Sequence, residues 1–213
     1  TGRPAALIVE PVQGVGGFIV PPSGYLRRAA EIIRDYGGLF ISDEVQTGFG
    51  RTGRHWWGIE HEGVVPDIMT MAKGIANGFP VGATTTTDEI AAAWGSKTIS
   101  TYGGNPISMA ATQATLDVMA REKVPERSEA LGARLRARLD ALAREFEWIG
   151  EVRGRGLMQA LELVEDPATK EPSPRLTAAF MEATRGAGLP VGPGGLYSNV
   201  VRIGPAGLAP GTG

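Results

Sequence analysis

Near the start of the chain one stretch leaves few folds open: an apolar run, an amphipathic segment and a second apolar run, in that order. "AALIVEP" (5–11) is continuously apolar until Glu10-Pro11, as a strand covered on both faces must be. "GYLRRAAEIIRDYG" (24–37) places Leu26, Ala29, Ala30 and Ile33 at helical spacing and stops at Gly37-Gly38. "GLFISD" (38–43) is the next apolar strand. Two strands joined through a helix run parallel, because the crossover returns the chain to the end from which it started. This predicts an α/β architecture with the C-terminal strand ends on one edge, where open sheets of this kind bind ligands. "PDIMTMAKG" (66–74) and "PVGATTTT" (80–87) read as two more strands. "NPISMAATQATLDVMARE" (105–122) reads as a helix capped by Asn105 with Pro106 at its first position. It carries almost no charge until its last turn, so it is expected to be buried.

The character changes after Lys123. "PERSEALGARLRARLDALAREFEW" (125–148) is a charged amphipathic helix with Leu131, Leu135, Leu139 and Leu142 on one stripe. "GEVRGRGLMQALELV" (150–164) reads as a strand and its lead-in, 166–174 as a loop and 175–188 as a helix. Short strands follow at "LPVGPGG" and "NVVRIGP". The expected division is a mostly parallel-sheet domain over 1–122 and a smaller α+β domain over 123–213. The chain opens on Thr1 and almost at once on a strand, so the natural N-terminus is expected upstream and targeting is left unread.

Composition removes several function classes. A formal charge of −2 gives no electrostatic reason to expect nucleic acid or an anionic membrane as partner. Without cysteine there is no disulfide, thiolate metal site or cysteine nucleophile, and His55 and His61 are too few for a histidine-rich centre, so no metal is expected.

Chemistry concentrates at strand ends. Asp43-Glu44 closes the strand 38–43, and Lys73 closes the strand "IMTMAK". An apolar run ending in Asp-Glu also resembles the magnesium-binding strand of an ATPase. That alternative needs a phosphate loop, and the nearest string, "WGSKT" (94–98), lacks the first glycine and separates Gly from Lys. Taken singly, Asp43 is an ordinary solvated strand end and Lys73 a snorkelling surface residue. Together on one edge they read differently. "STYGGNP" (100–106) adds the Thr101 hydroxyl, two glycines and a helix start whose N–H groups suit an anion. An acid, a lysine and a phosphate cradle match pyridoxal 5'-phosphate. The lysine amine forms a Schiff base with its aldehyde, and the acid keeps its ring nitrogen protonated.

The motifs "EPVQGVGG", "SDEVQTGFGRTG", "MAKGIANGFPVGA", "TYGGNP" and "VRGRGLM" resemble, in order, those of the class III, or ω-type, pyridoxal-phosphate aminotransferases, nearest the alanine–glyoxylate and 4-aminobutyrate branch. The resemblance implies a fold-type-I large domain, of which 1–122 would be the C-terminal part, and a small C-terminal domain. It implies that Lys73 is the Schiff-base lysine and Asp43 the partner of the ring nitrogen. It implies that Val45 packs on the ring and Gln46 reaches its phenolic oxygen. Thr101 would bind the phosphate of a neighbouring subunit's cofactor, which implies a homodimer with shared active sites. Arg202 would grip the substrate's α-carboxylate, and Glu10 would pair with that arginine when no carboxylate is bound. Glu44 has no implied cofactor role and is expected to be structural. The tail "RIGPAGLAPGTG" departs from the family, which follows this arginine with Pro-Pro-Leu and a final helix; truncation is expected there. The family also places a phosphate loop and a stacking aromatic upstream of these motifs, so the chain alone is expected to be weakly active or inactive.

The implied function is amino transfer from an amino acid or ω-amine to a 2-oxo acid by a ping-pong route. An aminomutase or racemase on the same scaffold, a nucleotide-binding domain and a non-catalytic fragment remain as alternatives. The expected compartment is the cytoplasm, with an organelle left open.

Overall fold

A computed structural model describes residues 2–207; the end of the atypical tail lies outside them. The chain forms two compact units, each assembled from separate stretches: Thr1–Pro11, Pro21–Phe49 and His55–Lys123 in the first, Val12–Val20, Gly50–Arg54 and Val124–Gly213 in the second.

The first unit runs β1 (Ala6–Val9), α1 (Tyr25–Asp35), β2 (Leu39–Asp43), a 3-10 turn (Gly58–Glu62), β3 (Ile68–Met71), a second 3-10 turn (Lys73–Ala76), β4 (Ala83–Thr86), α2 (Asp88–Ala92) and α3 (Pro106–Arg121). The sheet order is β1-β2-β3-β4, parallel through β3, with β4 antiparallel. Helix α1 turns Leu26, Ala30 and Ile33 onto Phe40, Ile59 and Val64. Fully burying side chains such as Leu26, Phe40 and Ile59 stabilises the unit by roughly 1.5–3 kcal/mol each. Gly24, at φ 82°, starts α1 without a side-chain cap, and the Glu62 carboxylate accepts its N–H at 2.8 Å instead. Before β3, the Asp67 carboxylate accepts the Phe40 N–H at 2.7 Å and both arms of Arg34 at 3.1 Å. These bonds fix where β3 begins relative to β2.

Two expectations change here. The run 5–11 read as a fully covered strand, but β1 is the sheet edge among the described residues, pairing with β2 alone, and leaves Ile8 59% exposed. Helix α3 read as buried, but Ser108 is its one buried residue among those described, and Ile107 is 72% exposed. Low charge shows that a helix can be covered. Here α3 packs through Leu116 and Met119 onto Phe49, Met71 and Ile75.

The second unit runs α4 (Val124–Glu145), β5 (Ile149–Arg155), β6 (Met158–Asp166), β7 (Glu171–Pro172), α5 (Pro174–Gly186), β8 (Gly192–Gly194) and β9 (Val200–Ile203). The sheet is antiparallel, ordered β5-β6-β9-β8, with β7 beside β6. Side chains alternate along β6. Leu161 and Leu163 join Leu139 of α4 and Leu176 and Phe180 of α5. Met158 and Ala160 face Val12, Phe18 and Val20. The stretch 150–164, expected to be one strand with a lead-in, is a hairpin. Its turn holds Gly156 at φ 54°, where a Cβ would lie 2.4 Å from the Thr52 carbonyl carbon. A Cβ on Gly132 of α4 would lie 2.3 Å from the Gly156 oxygen, so helix and hairpin meet backbone to backbone.

Candidate active site

Parallel register brings three polar residues to one edge of the first sheet. Glu10 follows β1, Asp43 ends β2, and Lys73 comes two residues after β3, in which Thr70 stands opposite Asp43. On β2 and at the residue after it, the side chains of Phe40, Ser42 and Glu44 are fully buried, while Asp43, between them, is half-buried. The paired acids therefore do different work.

Glu44 is a fastener. One carboxylate oxygen accepts the Ser42 hydroxyl at 3.2 Å and the Ile59 N–H at 2.8 Å. The other accepts the Thr47 hydroxyl at 2.5 Å and the Gly58 N–H at 2.8 Å. Burial pushes this carboxyl above its ordinary value, opposed by the four donors that favour its charged form. The result is a fixed loop after β2, with Val45 and Gln46 half-buried on it.

Asp43 is held by one oxygen. Oδ1 accepts the Val45 N–H at 3.1 Å, as an aspartate does for the residue two ahead, and the Thr70 hydroxyl at 3.3 Å. Among the described residues no donor reaches Oδ2. Gln46 Nε2 lies 3.5 Å from Glu10 Oε2, at the limit of a hydrogen bond.

Lys73 opens the 3-10 turn at φ 47°, a left-handed conformation that costs a long side chain on the order of 1–3 kcal/mol. The turn is held because Ile75 and Ala76 are buried with Phe49 and Met71, and Trp57 meets Phe49 edge-on at 4.9 Å. The lysine side chain itself is exposed.

Thr101 lies exposed in the turn before α3. Asn105 caps that helix, its Oδ1 accepting the Ser108 N–H at 3.0 Å, so one donor expected to face an anion is already engaged. Arg202 sits on β9 in the second unit. Its Nε donates to the Pro193 carbonyl at 2.8 Å, another nitrogen to that of Gly14 at 3.4 Å, and its guanidinium stacks 5.6 Å from the Phe18 ring centre. The nucleotide alternative loses its footing: Lys97-Thr98 lies in an exposed irregular stretch, and no helix starts there as a phosphate loop requires.

The edge suits pyridoxal phosphate. The group needs a free amine on a flexible stem, a carboxylate oxygen open to a ring N–H and an amide near the ring oxygen. Lys73, Asp43 Oδ2 and Gln46 are of those kinds.

The class-III aminotransferase model matches residues 2–208. The chain belongs to the class-III aminotransferase family. It is 47% identical over 206 residues to alanine–glyoxylate aminotransferase 2 homolog 2, mitochondrial, of Arabidopsis thaliana, covering 96% of this chain and 43% of that protein. An amine transaminase from an uncultivated Pseudomonas species, solved with pyridoxal phosphate bound, superposes with a TM-score of 0.90 at 40% identity over 96% of this chain and 48% of its own. A phospholyase from Arthrobacter in complex with phosphoethanolamine superposes with a TM-score of 0.91 at 36% identity over 95% and 49%. The chain thus spans less than half the length of these relatives. Class-III aminotransferases depend on pyridoxal phosphate, and the fold is that of the fold-type-I transaminases.

Sequence reasoning missed Thr70. Its signal is weak: a polar residue inside an apolar strand, opposite an acid only once the register is known.

Proposed function

We propose that the protein carrying this chain is a pyridoxal-phosphate-dependent aminotransferase moving an amino group from an amino acid or ω-amine to a 2-oxo acid by a ping-pong route. The observation that carries the reading is the edge where Lys73 stands exposed and Asp43 keeps Oδ2 open. Bound there, the cofactor would supply an electron sink for negative charge on the substrate carbon bearing the amine. Lys73 is the residue that would hold the cofactor, and its Nζ would move the proton to and from that carbon. Asp43 Oδ2 accepts the ring N–H and keeps it protonated. Val45 packs against the ring, and Gln46 Nε2 donates to the ring oxygen. For Arg202 and Glu10 the roles toward the substrate carboxylate rest on the family motifs. Thr101 is assigned to a partner subunit's phosphate in a homodimer. Supporting that assembly, the first unit exposes Trp94 at 69%, Ile99 at 95%, Tyr102 at 83% and Ile107 at 72%, more apolar surface than one short stretch ordinarily leaves in water. We place the protein in the cytoplasm or, as the Arabidopsis relative is described, the mitochondrion.

The test uses the protein loaded with pyridoxal phosphate. Borohydride trapping should fix the cofactor on Lys73, read by peptide mass, and alanine with a 2-oxo acid should exchange the amino group. Lys73→Ala should abolish both. Because one relative is a phospholyase, phosphoethanolamine is the necessary control: phosphate release without amino transfer would replace this reading with elimination.

A further inference from the structure

Asp43 has two donors on Oδ1 and none on Oδ2 among the described residues. One of the two, the Val45 N–H, belongs to the backbone. The other, the Thr70 hydroxyl, is the side-chain donor that orients this carboxylate. Thr70 is well placed for it. It pairs with Asp43 on one side and Thr84 on the other, and its carbonyl accepts the Glu44 N–H at 2.9 Å. A β-branched side chain on a backbone fixed from both sides has little rotamer freedom. The terminal torsion of aspartate, by contrast, is broad. With one donor the carboxylate plane can swing; with two on the same oxygen it is held.

We propose that Thr70 is a positioning residue: its hydroxyl fixes the Asp43 carboxylate so that Oδ2 meets a protonated ring nitrogen, and so sets how fully that nitrogen stays protonated. The inference rests on the reading of Asp43 as the ring-nitrogen partner. Losing the hydroxyl removes that aim, so Oδ2 no longer meets the ring N–H squarely and stabilises the protonated ring less.

The experiment loads wild type, Thr70→Val and Thr70→Ser with pyridoxal phosphate carrying ¹⁵N in the ring. Valine keeps the shape without the donor; serine keeps the donor. Borohydride trapping comes first. If wild type fails to trap at Lys73, the proposed function fails, and Thr70 falls with it. Given trapping, the ring nitrogen of Thr70→Val should shift toward its unprotonated position and titrate at lower pH than in wild type. Thr70→Ser should restore the wild-type signal. The half-reaction with an amino acid should slow about tenfold in Thr70→Val, equivalent to about 1.4 kcal/mol, which lies near one hydrogen bond to a charged group. A residue that only packs the strand would lower stability and leave the ring-nitrogen titration unmoved. Thr70→Ala carries the same expectation if valine prevents folding. Wild-type ring-nitrogen titration in every hydroxyl-free variant would overturn the proposal, as would a serine variant that behaves like valine.

Discussion

Replacing Glu44 by glutamine tests the loop that carries Val45 and Gln46. The two side chains have nearly the same shape, but a carboxylate accepts at both oxygens, whereas an amide accepts at one and donates at the other. Each Glu44 oxygen receives one backbone N–H, from Ile59 and from Gly58, and one hydroxyl, from Ser42 and from Thr47. The hydroxyl beside the new NH₂ can rotate to accept from it. The backbone N–H beside it cannot. Whichever way the amide settles, one buried N–H is orphaned, at about 1–3 kcal/mol, against a total domain stability of roughly 5–15 kcal/mol. Glu44→Ala should cost more, because both N–H groups lose their acceptor. Denaturant unfolding gives the global loss, and hydrogen exchange at Gly58 and Ile59 localises it. The sign with pH follows from the raised carboxyl. Between the unfolded and folded pKa the native protein holds the extra proton, so the contribution of Glu44 is fullest below the ordinary value of 4.5 and falls as pH rises through the folded one. The gap between wild type and Glu44→Gln should therefore narrow on going from acid to neutral pH. A gap that widens, or Gly58 and Ile59 amides still protected in the variant, would refute this account.

Arg202→Lys should weaken amino acids far more than simple amines in the ratio of kcat/KM, since lysine cannot form the two-pronged bond; an equal loss on both would mark Arg202 as structural. Gly132→Ala, ordinarily favourable within a helix, should destabilise by more than the about 1 kcal/mol that alanine gains there, because its Cβ meets the Gly156 backbone; thermal unfolding reads the sign. The Ser173 hydroxyl and Arg175 hold Glu165 below its ordinary value. Its contribution is thus present above pH 4.5 and lost as pH falls through the folded value, so Glu165→Gln should match wild type in acid and fall behind it near neutrality in a urea titration.

What was legible depended on whether the signal was local. The order strand, helix, strand showed in 5–43 because apolar spacing needs no partner to be seen, and Asn105-Pro106 announced α3 because a cap is built from neighbours in sequence. Lys73 and Asp43 could be placed on one edge from parallel topology alone. The division of labour between Asp43 and Glu44 could not: alternation separates adjacent residues onto opposite faces, but which face is inward depends on α1 and the Gly58–Glu62 turn. Thr70 depends on register and the hairpin turn at Gly156 on the approach of Thr52, and neither is written in nearby residues. Low charge in α3 revealed a surface fit to be covered without saying by what.

The interleaving of the two units bears on how such proteins can exchange parts. The backbone passes between them at 11/12, 20/21, 49/50, 54/55 and 123/124. A chimera spliced at 123 would import β6 and β9 while leaving Val12, Phe18 and Val20, which cover one face of them, to the other parent. It would likewise part the Gly156 turn from the Thr52-Gly53 backbone fitted against it. Recombination between homologues should then succeed at 123 only when 12–20 and 50–54 travel with the downstream segment, so that within this chain the unit of exchange is discontinuous in sequence.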